Sequence, residues 1–126
     1  MMKNKILTLL SVLLSLMFLN AGLNKFFNYI PVPDGLPEDL MRDNAALVEI
    51  SWLLPLVASM EILGGLLLLI PKTRALGLLV IFPILVGVLC THFTVAPDGL
   101  LMALVIWAVV LWLMYENREK YLGLLR

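Results

Sequence analysis

Residues 59–70 read Ser59-Met60-Glu61-Ile62-Leu63-Gly64-Gly65-Leu66-Leu67-Leu68-Leu69-Ile70, a carboxylate and a glycine doublet inside a run that otherwise dissolves in lipid. A charge at membrane depth costs roughly 2.5 to 3.5 kcal/mol on insertion scales, so it turns toward partner helices or trapped water and often marks function. Gly64 and Gly65 follow Glu61 by three and four residues and share its helical face. Without side chains they let a second helix approach closely. A neighbouring helix is therefore expected to cross here, near enough to offer Glu61 a partner.

The rest of the chain fits that setting. Its 126 residues are 62% hydrophobic and 14% charged, with a mean hydropathy of +1.01. A soluble domain of this size is nearer half apolar. The composition predicts a single all-α domain, a four-helix transmembrane bundle in contact with the lipid bilayer. The formal net charge is zero and the nine basic residues are scattered in small groups, which argues against nucleic acid as a partner. Cys90 is the only cysteine, so no intramolecular disulfide or Cys-x-x-Cys redox pair exists.

Outward from the central stretch, residues 6 to 24 carry no charge and match the roughly 20 residues that cross hydrocarbon. This run exceeds a signal-peptide core and lacks a good small-residue cleavage site, so helix 1, about 6–28, is expected to be retained. Asn20, Asn24 and Asn28 repeat every four residues at its end, with Lys25 beside them. They serve either as contacts to headgroups and water or, for the deeper Asn20, as an interhelical hydrogen bond. The prolines at 31, 33 and 37 make 29–44 a loop, within which Pro37-Glu38-Asp39-Leu40-Met41 is a modest signal for a short surface helix.

Helix 2 is expected over about 45–70, kinked at Pro55. Glu49, near its start, reads as solvated or paired with Lys25. Pro71-Lys72-Thr73-Arg74 is a tight turn. Helix 3 follows at about 75–96 with Pro83 in its middle and His92 late in it. Pro97-Asp98-Gly99 is a second turn, with Asp98 a candidate N-cap for helix 4 at about 100–115. Trp107 and Trp112 read as packing or interfacial anchors, and 116–126 as a charged tail. Lys3, Lys5, Lys72, Arg74, Arg118, Lys120 and Arg126 fall on one side, against Lys25 and Arg42 on the other. Basic residues stay on the cytoplasmic side, so both termini are expected there and the 29–44 loop outside.

This topology gathers Asn20, Asn24, Lys25, Glu49 and His92 in the outer half of the bundle, with Glu61 nearer the midplane. A depth difference of roughly 10 Å separates Glu61 from His92 at 1.5 Å per residue, so Asn20 or water is expected to link them. A carboxylate and a histidine in one pocket can pass a proton. A few placed polar atoms in an apolar pocket also suit a quinone headgroup or another small polar-headed ligand. The plainer reading is that Glu61 only fastens helices. One histidine, one cysteine and separated carboxylates make no standard metal-ligand set.

Phe18-Leu19-Asn20-Ala21-Gly22-Leu23-Asn24-Lys25-Phe26, together with the Glu61-x-x-Gly64-Gly65 step, resembles the DoxX-like family of small four-helix bacterial membrane proteins. The resemblance covers nearly the whole chain and carries Gly22, Lys25, Glu61 and Gly64 over as a shared core. It implies a place in a bacterial inner (plasma) membrane. The family takes its name from the membrane subunit of a thiosulfate:quinone oxidoreductase, and relatives are linked to thiol and oxidative-stress redox assemblies. A role as the membrane component of a redox system, working with a soluble or membrane redox partner and touching quinone, is thereby implied. Two other classes stay open: a non-catalytic assembly or scaffold subunit, and a small transporter acting as a homo-oligomer.

Overall fold

The computed structural model describes residues 2–126 and, among them, only helices, turns and loops. Helix α1 runs Met2–Phe27. Its buried residues, Ser11, Leu14, Ser15, Phe18 and Gly22, recur at steps of one, three and four and so form one stripe. Asn28, at φ 51°, ends the helix in the left-handed conformation that asparagine tolerates, and its N–H donates to the Asn24 carbonyl at 2.6 Å.

Helix α2, Glu38–Glu49, and helix α3, Leu53–Leu69, replace the single kinked helix expected over 45–70. They meet at 93°. Pro55 explains why the chain breaks upstream of the proline instead of bending at it. A helix running through from residue 45 would set the Pro55 ring against the Ser51 carbonyl and lose that hydrogen bond. Starting afresh at Leu53 puts Pro55 in the first turn, where its missing N–H has no partner to lose. The loop expected over 29–44 accordingly ends at Pro37. The remainder is α2, with Glu38 and Asp39 in its first turn and Arg42 near Asp39 at 3.3 Å. Leu40, Met41, Leu47 and Val48 lie on one face of α2, and Glu38, Arg42 and Glu49 on the other.

Helix α4, Arg74–Thr94, α5, Leu100–Glu116, and the short α6, Arg118–Leu122, complete the chain, with 3-10 turns at Pro97–Gly99 and Gly123–Leu125. Asp98 makes no side-chain cap to α5, and Gly99 occupies the capping position. The 116–126 tail is folded back: the Tyr121 hydroxyl donates to the Ala75 carbonyl at 2.9 Å, and Lys120 to the Pro71 carbonyl at 3.1 Å.

Helix α3 packs on α1 along one side and on α4 along the other, and α4 packs on α5. Leu14, Phe18, Leu68, Leu78, Ile81, Leu85, Val110 and Leu113 form the core. The Trp107 indole donates to the Leu85 carbonyl at 3.1 Å and meets Phe82 edge-on at 5.1 Å, so it locks α5 to α4. Leu9, Leu13, Leu63, Leu66, Leu76, Leu101 and Met102 are exposed outside this core, an exterior that suits acyl chains. By length and composition α1, α4 and the Pro97–Glu116 segment can each cross a membrane, and the bent α2–α3 pair supplies a fourth candidate.

Candidate functional site

The close approach expected at the glycine doublet is present on both faces of α3. A Cβ on Gly65 would lie 3.1 Å from the Ser15 carbonyl oxygen of α1, and one on Gly64 would collide with the Ile81 side chain of α4. The Ser15 hydroxyl donates to the Gly65 carbonyl at 2.5 Å, a buried interhelical bond that the sequence did not reveal. Two turns further along, Gly22 of α1 is so close to α3 that a Cβ there would stand 2.7 Å from the Ala58 carbonyl oxygen and 3.3 Å from Glu61 Cβ. Gly77 repeats the device from α4, its would-be Cβ lying 2.9 Å from the Gly64 carbonyl oxygen.

This spacing brings Glu61, at the midpoint of α3, within reach of Lys25 in the last turn of α1. Lys25 Nζ lies 2.7 Å from Glu61 Oε1. Its approach is off the line of a hydrogen bond, so the contact is an ion pair by distance. The Glu61 side chain is 5% exposed and that of Lys25 30%, so the carboxylate is enclosed and the ammonium looks out. Lys25 also sits where the partial negative charge of the α1 C-terminus favours a cation. Glu49, the alternative partner read from the sequence, is at the exposed end of α2.

The pair stands in a cavity of about 570 Å³ between α3 and α4. Leu53, Leu54 and Val57 form one wall, Pro83, Ile84, Gly87, Val88 and Thr91 the other, and Asn44 and Leu47 of α2 border it as well. The α4 wall was not singled out from sequence. Its signal is there, since Pro83, Gly87 and Thr91 recur every four residues and mark one face of small or polar character.

The remaining expected site residues lie elsewhere. Asn20 accepts from the Tyr29 hydroxyl through both its backbone and side-chain oxygens, and Asn24 Oδ1 accepts from the Ile30 N–H at 2.8 Å. Both tie the chain after α1 back onto the helix. His92 Nδ1 is 2.8 Å from the Ala96 carbonyl, so that nitrogen carries the hydrogen, and the ring packs against Gly99. It closes the turn between α4 and α5 and does not border the Lys25–Glu61 cavity. No Asn20 or His92 link to Glu61 is present among the described residues.

The uncharacterized protein YwoB of Bacillus subtilis (strain 168) is 32% identical over 66 residues, a segment covering 52% of this chain and 43% of that protein. The chain thus spans less than half the length of this relative. No solved structure matches. The DoxX family profile matches residues 6–97, which takes in α1 to α4 and with them Gly22, Lys25, Glu61, Gly64 and Gly65, and the chain is a multi-pass membrane protein of the DoxX family.

Proposed function

We propose that this chain is the membrane component of a redox system, and that the cavity beside Lys25 and Glu61 binds the polar head of a quinone or a similar small molecule arriving from lipid. The observation that carries this reading is the Lys25–Glu61 ion pair at the wall of a largely apolar cavity. A quinone carbonyl needs a hydrogen-bond donor and its ring and tail need apolar walls, which is the combination found in small-molecule sites generally. The Lys25 ammonium has three donors and one of its faces is accessible. Glu61 holds that ammonium in place. Val57, Ile84 and Val88 supply walls for the ring.

In this reading the chain binds and orients the quinone, and electrons come from a partner oxidoreductase. The family likeness favours a bacterial inner membrane, and the distribution of basic residues favours both termini in the cytoplasm, which opens the cavity toward the outer leaflet. The test is quinone content, by extraction and mass spectrometry, of the full-length protein purified in mild detergent. Wild-type protein is expected to retain quinone, Lys25→Met to lose it, and His92→Ala to keep it. Equal quinone in wild type and Lys25→Met overturns the reading. Co-purification of a soluble oxidoreductase without any quinone would favour an assembly subunit instead.

A further inference from the structure

The opposite end of the bundle carries a second polar cavity, of about 440 Å³, where the start of α1 meets the α3–α4 turn and the end of α5. We propose that it binds the phosphate of an anionic phospholipid headgroup. Arg74 is the reason. The residue is 8% exposed, its Nε donates to the Leu68 carbonyl at 3.0 Å, and its Nη2 is buried without a hydrogen-bond partner among the described residues while the side chain borders the cavity. A buried guanidinium donor left open is costly, and a small outward turn of the Arg74 guanidinium would bring it to a phosphate oxygen in the cavity, in the geometry guanidinium prefers.

Lys3 and Lys120 stand at the same cavity, and Glu116 is its one carboxylate. Glu116 is already engaged by Lys3 at 3.1 Å. Three cations against one carboxylate leave the site formally at +2, which suits a phosphate diester. The lipid, in preference to a free phosphate, is indicated by what adjoins the site. Asn4 and Thr8 border both this cavity and a neighbouring one that continues along α1 over Leu9 and Val12. A headgroup seated at Arg74 therefore has an apolar track beside it for an acyl chain.

Native mass spectrometry of the full-length protein, exchanged into detergent with added phosphatidylglycerol or phosphatidylcholine, tests the assignment. Wild type is expected to retain phosphatidylglycerol and release phosphatidylcholine. The Lys3→Gln/Lys120→Gln double variant, whose side chains are at the surface, should bind phosphatidylglycerol roughly tenfold more weakly. Glu116→Gln should bind it more tightly, an outcome that loss of folding cannot mimic. Equal retention of the two lipids by wild type, or no change in either variant, overturns the site. Displacement of the phosphatidylglycerol by millimolar inorganic phosphate overturns the lipid assignment and gives the cavity to a soluble anion. None of these readouts involves the Lys25–Glu61 cavity.

Discussion

A buried charge pair is worth less than its Coulomb energy because both ions give up water, but an enclosed charge left alone is worse. Lys25→Met should therefore cost about 3 kcal/mol, since it strands the 5%-exposed Glu61 side chain. The double variant Lys25→Met/Glu61→Leu should be more stable than that single variant. Thermal unfolding in detergent checks both, and additive losses would mean that the two side chains do not act as a pair. The acid itself was legible in the sequence, because a lone Glu in an apolar run stands out. Its partner was not. Lys25 and Glu61 are placed at different depths by residue counting, and only the length of the lysine side chain and the closeness allowed by Gly22 join them. His92 looked equally exceptional, yet its contacts are set by the turn at Pro97–Gly99, whose path no single-residue pattern encodes.

Helix contacts here depend on backbones touching, which makes individual glycines unequal. Gly22→Ala puts a methyl group against a main-chain oxygen that cannot step aside, and should cost roughly 1–3 kcal/mol by forcing α1 from α3. Gly87→Ala meets nothing within 4 Å and should be neutral or gain up to about 1 kcal/mol from helix propensity. Equal melting temperatures for the two variants would refute this contrast. At the other end, burial pushes the Tyr121 hydroxyl from its ordinary 10.0 up to about 12. The folded state holds that proton more tightly, so the stability linked to the protonated Tyr121 hydroxyl is complete below pH 10 and lost as pH rises toward about 12. Tyrosinate absorbance should show that delayed ionisation, and Ala75→Gly, which keeps the carbonyl, should not abolish it. The close approach at Gly64 and Gly65 was readable from the doublet, whereas Gly22 entered through the family resemblance and Gly77 carried no signal of its own. The corner between α2 and α3 was not, because Ile50-Ser51-Trp52 contains neither glycine nor proline and the cause, Pro55, lies downstream of the break it imposes.

At the scale of the molecule, hydropathy was enough to read an all-helical membrane chain, and the start of α2 was legible as a short surface helix at Pro37-Glu38-Asp39-Leu40-Met41, while its extent to Glu49 and its right angle to α3 were not, because its second half merges with the apolar sequence that follows. Orientation is testable with introduced thiols, because only one native cysteine has to be removed. In a Cys90→Ser background, an impermeant maleimide applied to spheroplasts should label Asp34→Cys at once and Arg126→Cys only after lysis. The opposite pattern would invert the proposed topology. The right-angled corner also fixes lengths: α3 has 17 residues against 21 in α4, or roughly 26 Å against roughly 32 Å at 1.5 Å per residue. Hydrocarbon about 30 Å thick does not match the shorter rod. Lipids beside Leu56, Leu63 and Leu66 must pinch inward by a few ångströms, so this protein is expected to partition into thinner patches of bilayer and to dimple the leaflet where its corner sits.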